Sequence, residues 1–140
     1  MQKLILDTNV VVSALISNSF PTMILYELVL TSEVDTCLSE EIFLEYLEVM
    51  NRDKFTKFAN FKTKANVVLN KIRENSIFYK TDRKIDVLTD TSDNKFLELA
   101  AVSSADYLIT GNTLDFQITE FEYTRILTPR DYWENFDPRK

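Results

Sequence analysis

The stretch LILDTNVVVSAL (residues 4–15) decides how this chain folds. Residues 3–6 form a short apolar run that predicts a buried strand, and the run stops at Asp7. Residues 10–17 predict a helix directly after it. In open α/β sheets, ligands bind beyond the carboxyl ends of the strands, so the position of Asp7 marks a candidate site. The alternative is that Asp7, alone or with Thr8, simply caps the helix.

Strand and helix patterns alternate along the rest of the chain. Further strands are predicted at residues 34–38, 76–80, 106–110 and 124–128. Helices are predicted at residues 21–31, 40–52, 54–74 and 94–104, and a last short one opens at Pro129. With no repeat or linker, the pattern predicts one domain over residues 1–140. The expected fold is a three-layer α/β/α arrangement with a central parallel sheet of about five strands.

Composition excludes several classes of site. The chain contains no histidine, which excludes Ser–His–Asp triads and zinc sites that need histidine. Its single glycine, Gly111, excludes the glycine-rich phosphate loops of nucleotide-binding proteins. If the protein is an enzyme, its chemistry must come mainly from its 22 carboxylates.

The sequence also carries signals about location. No stretch of 18 apolar residues is present, so no transmembrane helix and no membrane partner are expected. The apolar N-terminus is interrupted by Asp7 and Asn9 and is interpreted as a strand rather than a signal peptide. The single Cys37 is expected to be a buried thiol in a reducing compartment, which predicts a cytoplasmic protein.

Acidic residues cluster in three places at the edge of the predicted sheet where ligands bind. Asp7 ends the first strand, Asp90 and Asp93 precede the helix at 94–104, and Asp115 follows the fourth strand with Asn112. Clustered carboxylates without histidine or thiol favour a hard ion, Mg²⁺ or Mn²⁺. Such an ion activates water and neutralises charge in phosphodiester hydrolysis.

The residues before the helix at 94–104 allow two interpretations. If Ser92 caps this helix, Asp93 lies in its first turn, where the helix dipole favours a negative charge. Asp90 and Asp93 can also be ordinary cap and turn residues, the interpretation preferred for Asp90.

The helix at 40–52 supplies one more candidate. Glu41, Glu45 and Glu48 share one stripe of this helix, and Glu45 falls nearest the apolar arc. A carboxylate at the edge of the buried face can reach a cleft. Glu45 is therefore a candidate site residue, with a row of solvated glutamates as the alternative, and Glu41 and Glu48 are expected to face solvent.

Three segments, taken together and in order, resemble those of PIN-domain proteins. They are LDTNVVVSAL, LSEEIFLEYLEVMNRDKF and DTSDNKFLELAAVSSADYLITGN, and the resemblance covers most of residues 1–132. Within them, Glu45 matches the family's helical glutamate, Asp93 its central aspartate, and Asp90 a frequent companion. The chain is most similar to bacterial members described as toxin components of toxin–antitoxin pairs.

One position departs from the family pattern. Many PIN domains have an aspartate where this chain has Asn112, after Thr110 and Gly111. The amide oxygen of Asn112 can still contact a metal or its water, and Asp115 can restore the charge. The change puts a second metal position in question.

The resemblance implies an Mg²⁺- or Mn²⁺-dependent endoribonuclease in which an activated water attacks phosphorus in line. Asp7, Glu45 and Asp93 would hold the metal, and Asp90 and Asp115 are further candidate ligands. Thr8, Asn9, Thr110 and Asn112 would support the site. The implied partners are an RNA substrate, a cognate antitoxin and a second copy of the chain in a homodimer.

The distribution of charge bears on RNA binding. The net charge of −6 disfavours it, but residues 52–73 carry seven basic residues and one acid. Residues 52–75 are interpreted as a basic helical arm that guides RNA to the acids, through Arg52, Lys54, Lys57, Lys62 and Lys64. The alternative is a solvated helix face, with Phe55, Phe58 and Phe61 in the core or at a dimer contact; for the phenylalanines this alternative is preferred.

Two other functions remain open. A PIN scaffold that binds RNA or a protein without cutting is consistent with Asn112 and the acidic surface. A phosphatase resembling the haloacid dehalogenase family would use Asp7 as its nucleophile. That family requires a second acid two residues later, where this chain has Asn9.

Overall fold

A computed structural model describes residues 1–111 and 116–140 of the chain. The strands are β1 (Lys3–Leu6), β2 (Asp35–Leu38), β3 (Ser76–Phe78), β4 (Tyr107–Ile109), β5 (Glu120–Phe121) and β6 (Thr124–Leu127). The α-helices are α1 (Thr8–Ile16), α2 (Phe20–Ile24), α3 (Glu40–Met50), α4 (Phe61–Asn75), α5 (Asn94–Ser103) and α6 (Pro129–Phe136). Short 3₁₀ turns lie at Asp53–Phe55 and Thr91–Asp93, and a π-helical turn at Leu25–Val29 continues α2.

The strands form one sheet in the order β3-β2-β1-β4-β6-β5. The first five strands in this order, β3, β2, β1, β4 and β6, are parallel to one another, which confirms the predicted sheet. The edge strand β5 was not predicted; it pairs antiparallel with β6 through two residues. A strand this short has no alternating pattern that a sequence could display.

Helices cover both faces of the sheet. Leu4, Ile5 and Leu6 of β1 are each at most 1% exposed, although successive side chains of a strand point to opposite faces. Both faces are therefore buried, as expected for a parallel sheet between helices. The predicted three-layer α/β/α fold is confirmed.

The central strand β1 is connected to α3 at the end where the candidate site lies. Ser39 caps α3, accepting a hydrogen bond from the Ile42 backbone N–H at 3.2 Å. On the buried face of the same helix, the hydroxyl of Tyr46 donates to the carbonyl oxygen of Leu6 at 2.5 Å. This contact fixes α3 beside the carboxyl end of β1, immediately before Asp7.

The prediction of one continuous helix from Lys54 to Glu74 is wrong for residues 54–60. The chain forms a 3₁₀ turn at Asp53–Phe55, and α4 begins only at Phe61. Asn60 adopts a left-handed conformation with φ of 60°, which interrupts a right-handed helix. From Phe61 onward the predicted apolar face is confirmed, because Phe61, Ala65, Val68 and Ile72 are buried. Residues 61–75 therefore pack into the domain along one face.

Two smaller expectations concern burial and membranes. Cys37 is fully buried, as predicted. No single helix in the described part of the chain is long and apolar enough to cross a membrane. Taken together, the helices Thr8–Ile16 and Phe20–Val29 have the length and apolar composition of a membrane span, but they meet at an angle of 97°.

Candidate active site

A cleft of about 410 Å³ opens at the carboxyl end of β1. Four acids from three separate parts of the sequence line it: Asp7, Glu45, Asp90 and Asp93. The predicted supporting residues Thr8 and Asn9 also line this cleft. The topology explains why these acids converge. The strand β1 lies in the interior of the sheet, α5 contacts β1, and α3 packs against both α1 and α5.

Asp7 lies in the wall of the cleft and is only 7% exposed. Its backbone N–H donates to the carbonyl oxygen of Ile109 at 2.9 Å, and its Oδ2 accepts from the hydroxyl of Thr110 at 2.7 Å. Burial raises the pKa of the Asp7 carboxyl above its usual range; the hydroxyl of Thr110 opposes this shift and the negative charge of Glu45 adds to it. Although Asp7 precedes α1, its side chain makes no capping hydrogen bond. Asp7 nevertheless is the residue before α1, and the backbone N–H groups of Thr8 and Asn9 also favour its charged form, so its place at the helix start and its place in the cleft go together.

Glu45 reaches the cleft from α3, as its position at the edge of the buried face predicted. One of its carboxylate oxygens, Oε2, accepts a hydrogen bond from the hydroxyl of Thr8. The other, Oε1, lies 2.5 Å from the ammonium nitrogen of Lys95 on α5. Glu41 and Glu48 are exposed, which confirms the prediction for the other two glutamates of the stripe.

Asp90 and Asp93 approach the cleft from the turn before α5. Asp90 Oδ1 accepts from the backbone N–H of Ser92 at 3.1 Å and from its hydroxyl at 2.7 Å. These two hydrogen bonds lower the pKa of the Asp90 carboxyl. Asp90 therefore caps the 3₁₀ turn, which is the interpretation preferred from sequence, while still facing the cleft.

The condition that Ser92 caps α5 is not met, because Asp93 is the residue before this helix. Because Asp90 takes both hydrogen-bond donors of Ser92, that serine lies inside the 3₁₀ turn, and Asp93 itself occupies the residue before α5. Asp93 thus stands at the amino end of the helix, where the dipole still favours its charge.

Two buried polar residues of α5 hold the segment that leads to these acids. The side-chain oxygen of Asn94 accepts from the backbone N–H groups of Val87 and Leu88, at 3.3 and 3.0 Å. Glu98 Oε2 accepts from the backbone N–H of Ile85 at 3.1 Å. The sequence analysis did not single out either residue. The available signal was a polar side chain on the apolar face of α5.

The predicted RNA-binding residues are divided by the structure. Arg52 and Lys54 line the cleft, and Arg52 also pairs with Glu48 at 2.9 Å. Lys57, Lys62 and Lys64 do not line it. Lys64 lines a separate depression with Tyr26, and its Nζ donates to the carbonyl oxygen of Leu15 at 3.2 Å.

The phenylalanines of the same region belong to the core. The rings of Phe55 and Phe61 stack with centroids 4.9 Å apart, and both residues are buried. Phe58 is half-buried and packs against that pair. The preferred core interpretation is confirmed, although Phe55 also touches the wall of the cleft.

The structure describes only part of the segment after β4, where Thr110, Asn112 and Asp115 are candidate site residues. Thr110 is fully buried and contacts Asp7, in keeping with its predicted supporting role. Asn112 and Asp115 lie outside the described residues.

The acids that line the cleft provide the type of ligand atom that a hard divalent ion binds. The acids that line the cleft offer only carboxylate oxygens, the ligands that Mg²⁺ and Mn²⁺ prefer, and buried Asp7 carries a charge whose cost a cation would relieve. Within residues 1–111 and 116–140, no group of three or more Cys, Asp or Glu side chains is already arranged so that it could hold a metal ion. The carboxylates share a cleft without being drawn together around one point.

The chain was compared with known proteins. The PIN domain family matches residues 3–114, a range that contains all four acids of the cleft. No match to a curated protein was found.

Proposed function

The chain belongs to the PIN-domain family, and we propose that it is a metal-dependent endoribonuclease that hydrolyses RNA phosphodiester bonds with Mg²⁺ or Mn²⁺. PIN domains are generally nucleases that use divalent metal ions. The observation that carries the proposal is the placement of Asp7, Glu45 and Asp93, from three separate segments, on one cleft at the carboxyl end of the central strand.

Asp7, Glu45 and Asp93 would hold the ion, with Asp90 and Asp115 as further ligands. When bound, the ion supplies Lewis-acid chemistry, lowering the pKa of a water and neutralising charge that grows on the phosphate. Thr110 orients the Asp7 carboxylate through its hydrogen bond, and Thr8 does the same for Glu45. Asp7 is nearly buried, so its charge acts where little water screens it.

The basic residues at the edge of the cleft would contact the RNA. Arg52 and Lys54 line the same cleft as the acids, so they can neutralise backbone phosphates beside the site of cleavage. Lys57 and Lys62 are exposed on the neighbouring turn and the start of α4, and would extend this contact. Lys64 does not line the cleft and its ammonium already donates to a backbone carbonyl, which makes it the weakest of the predicted RNA contacts.

A cleavage assay tests the enzymatic proposal. Labelled single-stranded RNA is incubated with the purified protein in Mn²⁺, in Mg²⁺ and in EDTA. We expect cleavage only with a divalent ion, and a loss of at least about 100-fold in rate for Asp7→Asn and Asp93→Asn, because each removes a charged ligand. Glu40→Gln is the matched control, since Glu40 lies on the same helix as Glu45 but is exposed and does not line the cleft. Full activity in both aspartate variants would overturn the proposal.

We propose further that the protein is the toxin of a toxin–antitoxin pair, acting on RNA in the cytoplasm as a homodimer. The similarity of LDTNVVVSAL and the later segments to toxin members supports this role. The net charge of −6 suits docking of a basic antitoxin segment. Expression of the chain alone should arrest growth, and co-expression of a small protein encoded beside it should relieve the arrest. Normal growth with active protein present would contradict the role.

A non-catalytic PIN scaffold that binds RNA or a protein is the second candidate. The close pairing of Glu45 with Lys95 favours it, because this pairing already neutralises one acid of the cleft. RNA binding without cleavage in any divalent ion would support the scaffold over the enzyme.

A further inference from the structure

Lys95 places a positive charge beside the acidic cleft, against one of the acids that line it. It lies in the first turn of α5, two residues after Asp93, and its ammonium nitrogen is 2.5 Å from Glu45 Oε1. Its side chain is only 15% exposed and that of Glu45 only 26%, so the pair is shielded from most of the solvent. The sequence analysis assigned no role to this lysine, and none of the proposed catalytic steps uses it.

We propose that the Lys95 ammonium is a resident counter-cation of the acidic cleft, which a divalent ion must displace from Glu45 in order to bind. Lys95 thereby sets the metal concentration at which the site becomes loaded. This inference rests on the proposed function, since it assumes that the cleft binds a divalent ion.

The first argument is that both oxygens of the Glu45 carboxylate already have partners. Its Oε2 accepts the Thr8 hydroxyl and its Oε1 is held by Lys95, so neither oxygen is without a partner. A divalent ion that takes Glu45 as a ligand has to replace at least one of these partners. It also meets the repulsion of a positive charge a few ångströms away, in a place where screening by water is weak.

The second argument is that other carboxylates can receive the ammonium when it leaves Glu45. Lys95 already lines a neighbouring depression of about 440 Å³, and three acids, Glu41, Asp86 and Glu98, line it too. Ser92 lines both this depression and the cleft, so the two are adjacent. The flexible four-carbon stem of a lysine can turn its ammonium from one set of carboxylates to the other without moving the helix.

The pairing also bears on the spacing of the acids that line the cleft. Lys95 holds Glu45 on the side of α5, and the like charges of Glu45 and Asp7 repel each other as long as no cation lies between them. Displacement of Lys95 would free Glu45 to turn toward the other carboxylates once a cation lies between them.

The test is a Mn²⁺ titration of the full chain without RNA, followed by calorimetry or by the electron paramagnetic resonance signal of free Mn²⁺. Lys95→Met keeps the length of the side chain and removes the charge, and should bind Mn²⁺ about tenfold more tightly than the wild type. Lys95→Arg retains the charge and should stay within about threefold of the wild type. Lys71→Met is the matched control, since Lys71 is exposed on α4 and lines neither the cleft nor the neighbouring depression, and should leave the affinity unchanged.

A double variant tests whether Lys95 affects Mn²⁺ binding through its contact with Glu45. In the background of Glu45→Gln, Lys95→Met should no longer tighten Mn²⁺ binding, because the carboxylate that the two cations share is gone. Circular dichroism and thermal unfolding establish that each variant is folded. Should Lys95→Met misfold, Lys95→Gln is the substitute, with the same expected direction.

The outcomes separate the two proposals. If Lys95→Met binds Mn²⁺ equally or more weakly while the wild type still cleaves RNA, this inference is overturned and the proposed function stands. If the wild-type protein and every variant fail to bind Mn²⁺, both are overturned.

Discussion

Replacing Asp7 with asparagine should stabilise the metal-free protein at neutral pH while destroying its activity. Asp7 is 7% exposed, and its pKa is raised chiefly by burial even though the Thr110 hydroxyl donates to it. The raised pKa means that, with all contacts included, the folded protein disfavours the charged form of this carboxyl. The asparagine of the variant is close in size to aspartate, and its side-chain oxygen can still accept from Thr110.

The magnitude follows from opposing contributions. Exchanging the charge-assisted hydrogen bonds from the Thr110 hydroxyl and the Thr8 and Asn9 backbone for neutral ones costs stability, while removing a buried charge returns more, as the net rise of the Asp7 pKa indicates. We expect a net gain of about 1 kcal/mol in the free energy of unfolding, within the range of single stabilising changes. For a domain of this size, that corresponds to a rise of roughly 3–5 °C in Tm.

The gain should depend on pH in a defined direction. The folded wild type keeps the Asp7 proton to a higher pH than the unfolded chain, in which the pKa is near its usual 3.8. Between those two values the folded state binds more protons, so the stability of the wild type falls as pH rises. The variant has no such titration. Its advantage should therefore be small or absent near pH 4, grow as pH rises through the folded pKa, and level off above it.

Thermal unfolding in EDTA across this pH range measures the effect. Added Mn²⁺ should reverse the order at neutral pH, because ligand at 100 times its Kd stabilises the wild type by about 2.7 kcal/mol. An asparagine variant that is less stable than the wild type in EDTA at pH 7 would refute the reasoning from burial.

Three further substitutions test individual contacts. Thr110→Val removes the donor to Asp7, and should cost about 1–3 kcal/mol in urea unfolding at pH 7 and less at pH 4; an equal cost at both would contradict the role of this bond. Tyr46→Phe leaves a buried carbonyl of β1 without its donor, and should cost about 1–3 kcal/mol by the same measurement, whereas no change would show that the contact is unimportant. Leu99→Ala empties a fully buried site and should cost about 2–5 kcal/mol, against about 0.5 kcal/mol or less for the exposed Leu44→Ala; similar costs for the two would contradict the assigned core.

The sequence was most informative where local pattern and position determine the outcome. The apolar run that ends at Asp7 is itself the central strand, and helical periodicity placed Glu45 at the edge of the buried face of α3. Parallel strands align their carboxyl ends, so the convergence of Asp7 with Asp90 and Asp93 followed from the predicted topology. These parts required no knowledge of side-chain contacts between distant elements.

The errors arose where periodicity was ambiguous or contacts were distant. Phe55, Phe58 and Phe61 are spaced by three residues, which imitates a helix, yet they form a ring cluster across the turn that contains Asn60. The pairing of Lys95 with Glu45 joins two helices that are fifty residues apart in sequence, and no local pattern indicates it.

The central claim is that carboxylates from separate segments act as one divalent-metal site, and a comparison of Mn²⁺ binding by the wild type, Asp7→Asn and Asp93→Asn tests it most directly. The account predicts saturable binding by the wild type that is weakened at least about tenfold in each variant, since each loses a charged ligand from the same ion. Wild-type affinity in both variants, or binding that only one of them weakens, would contradict it.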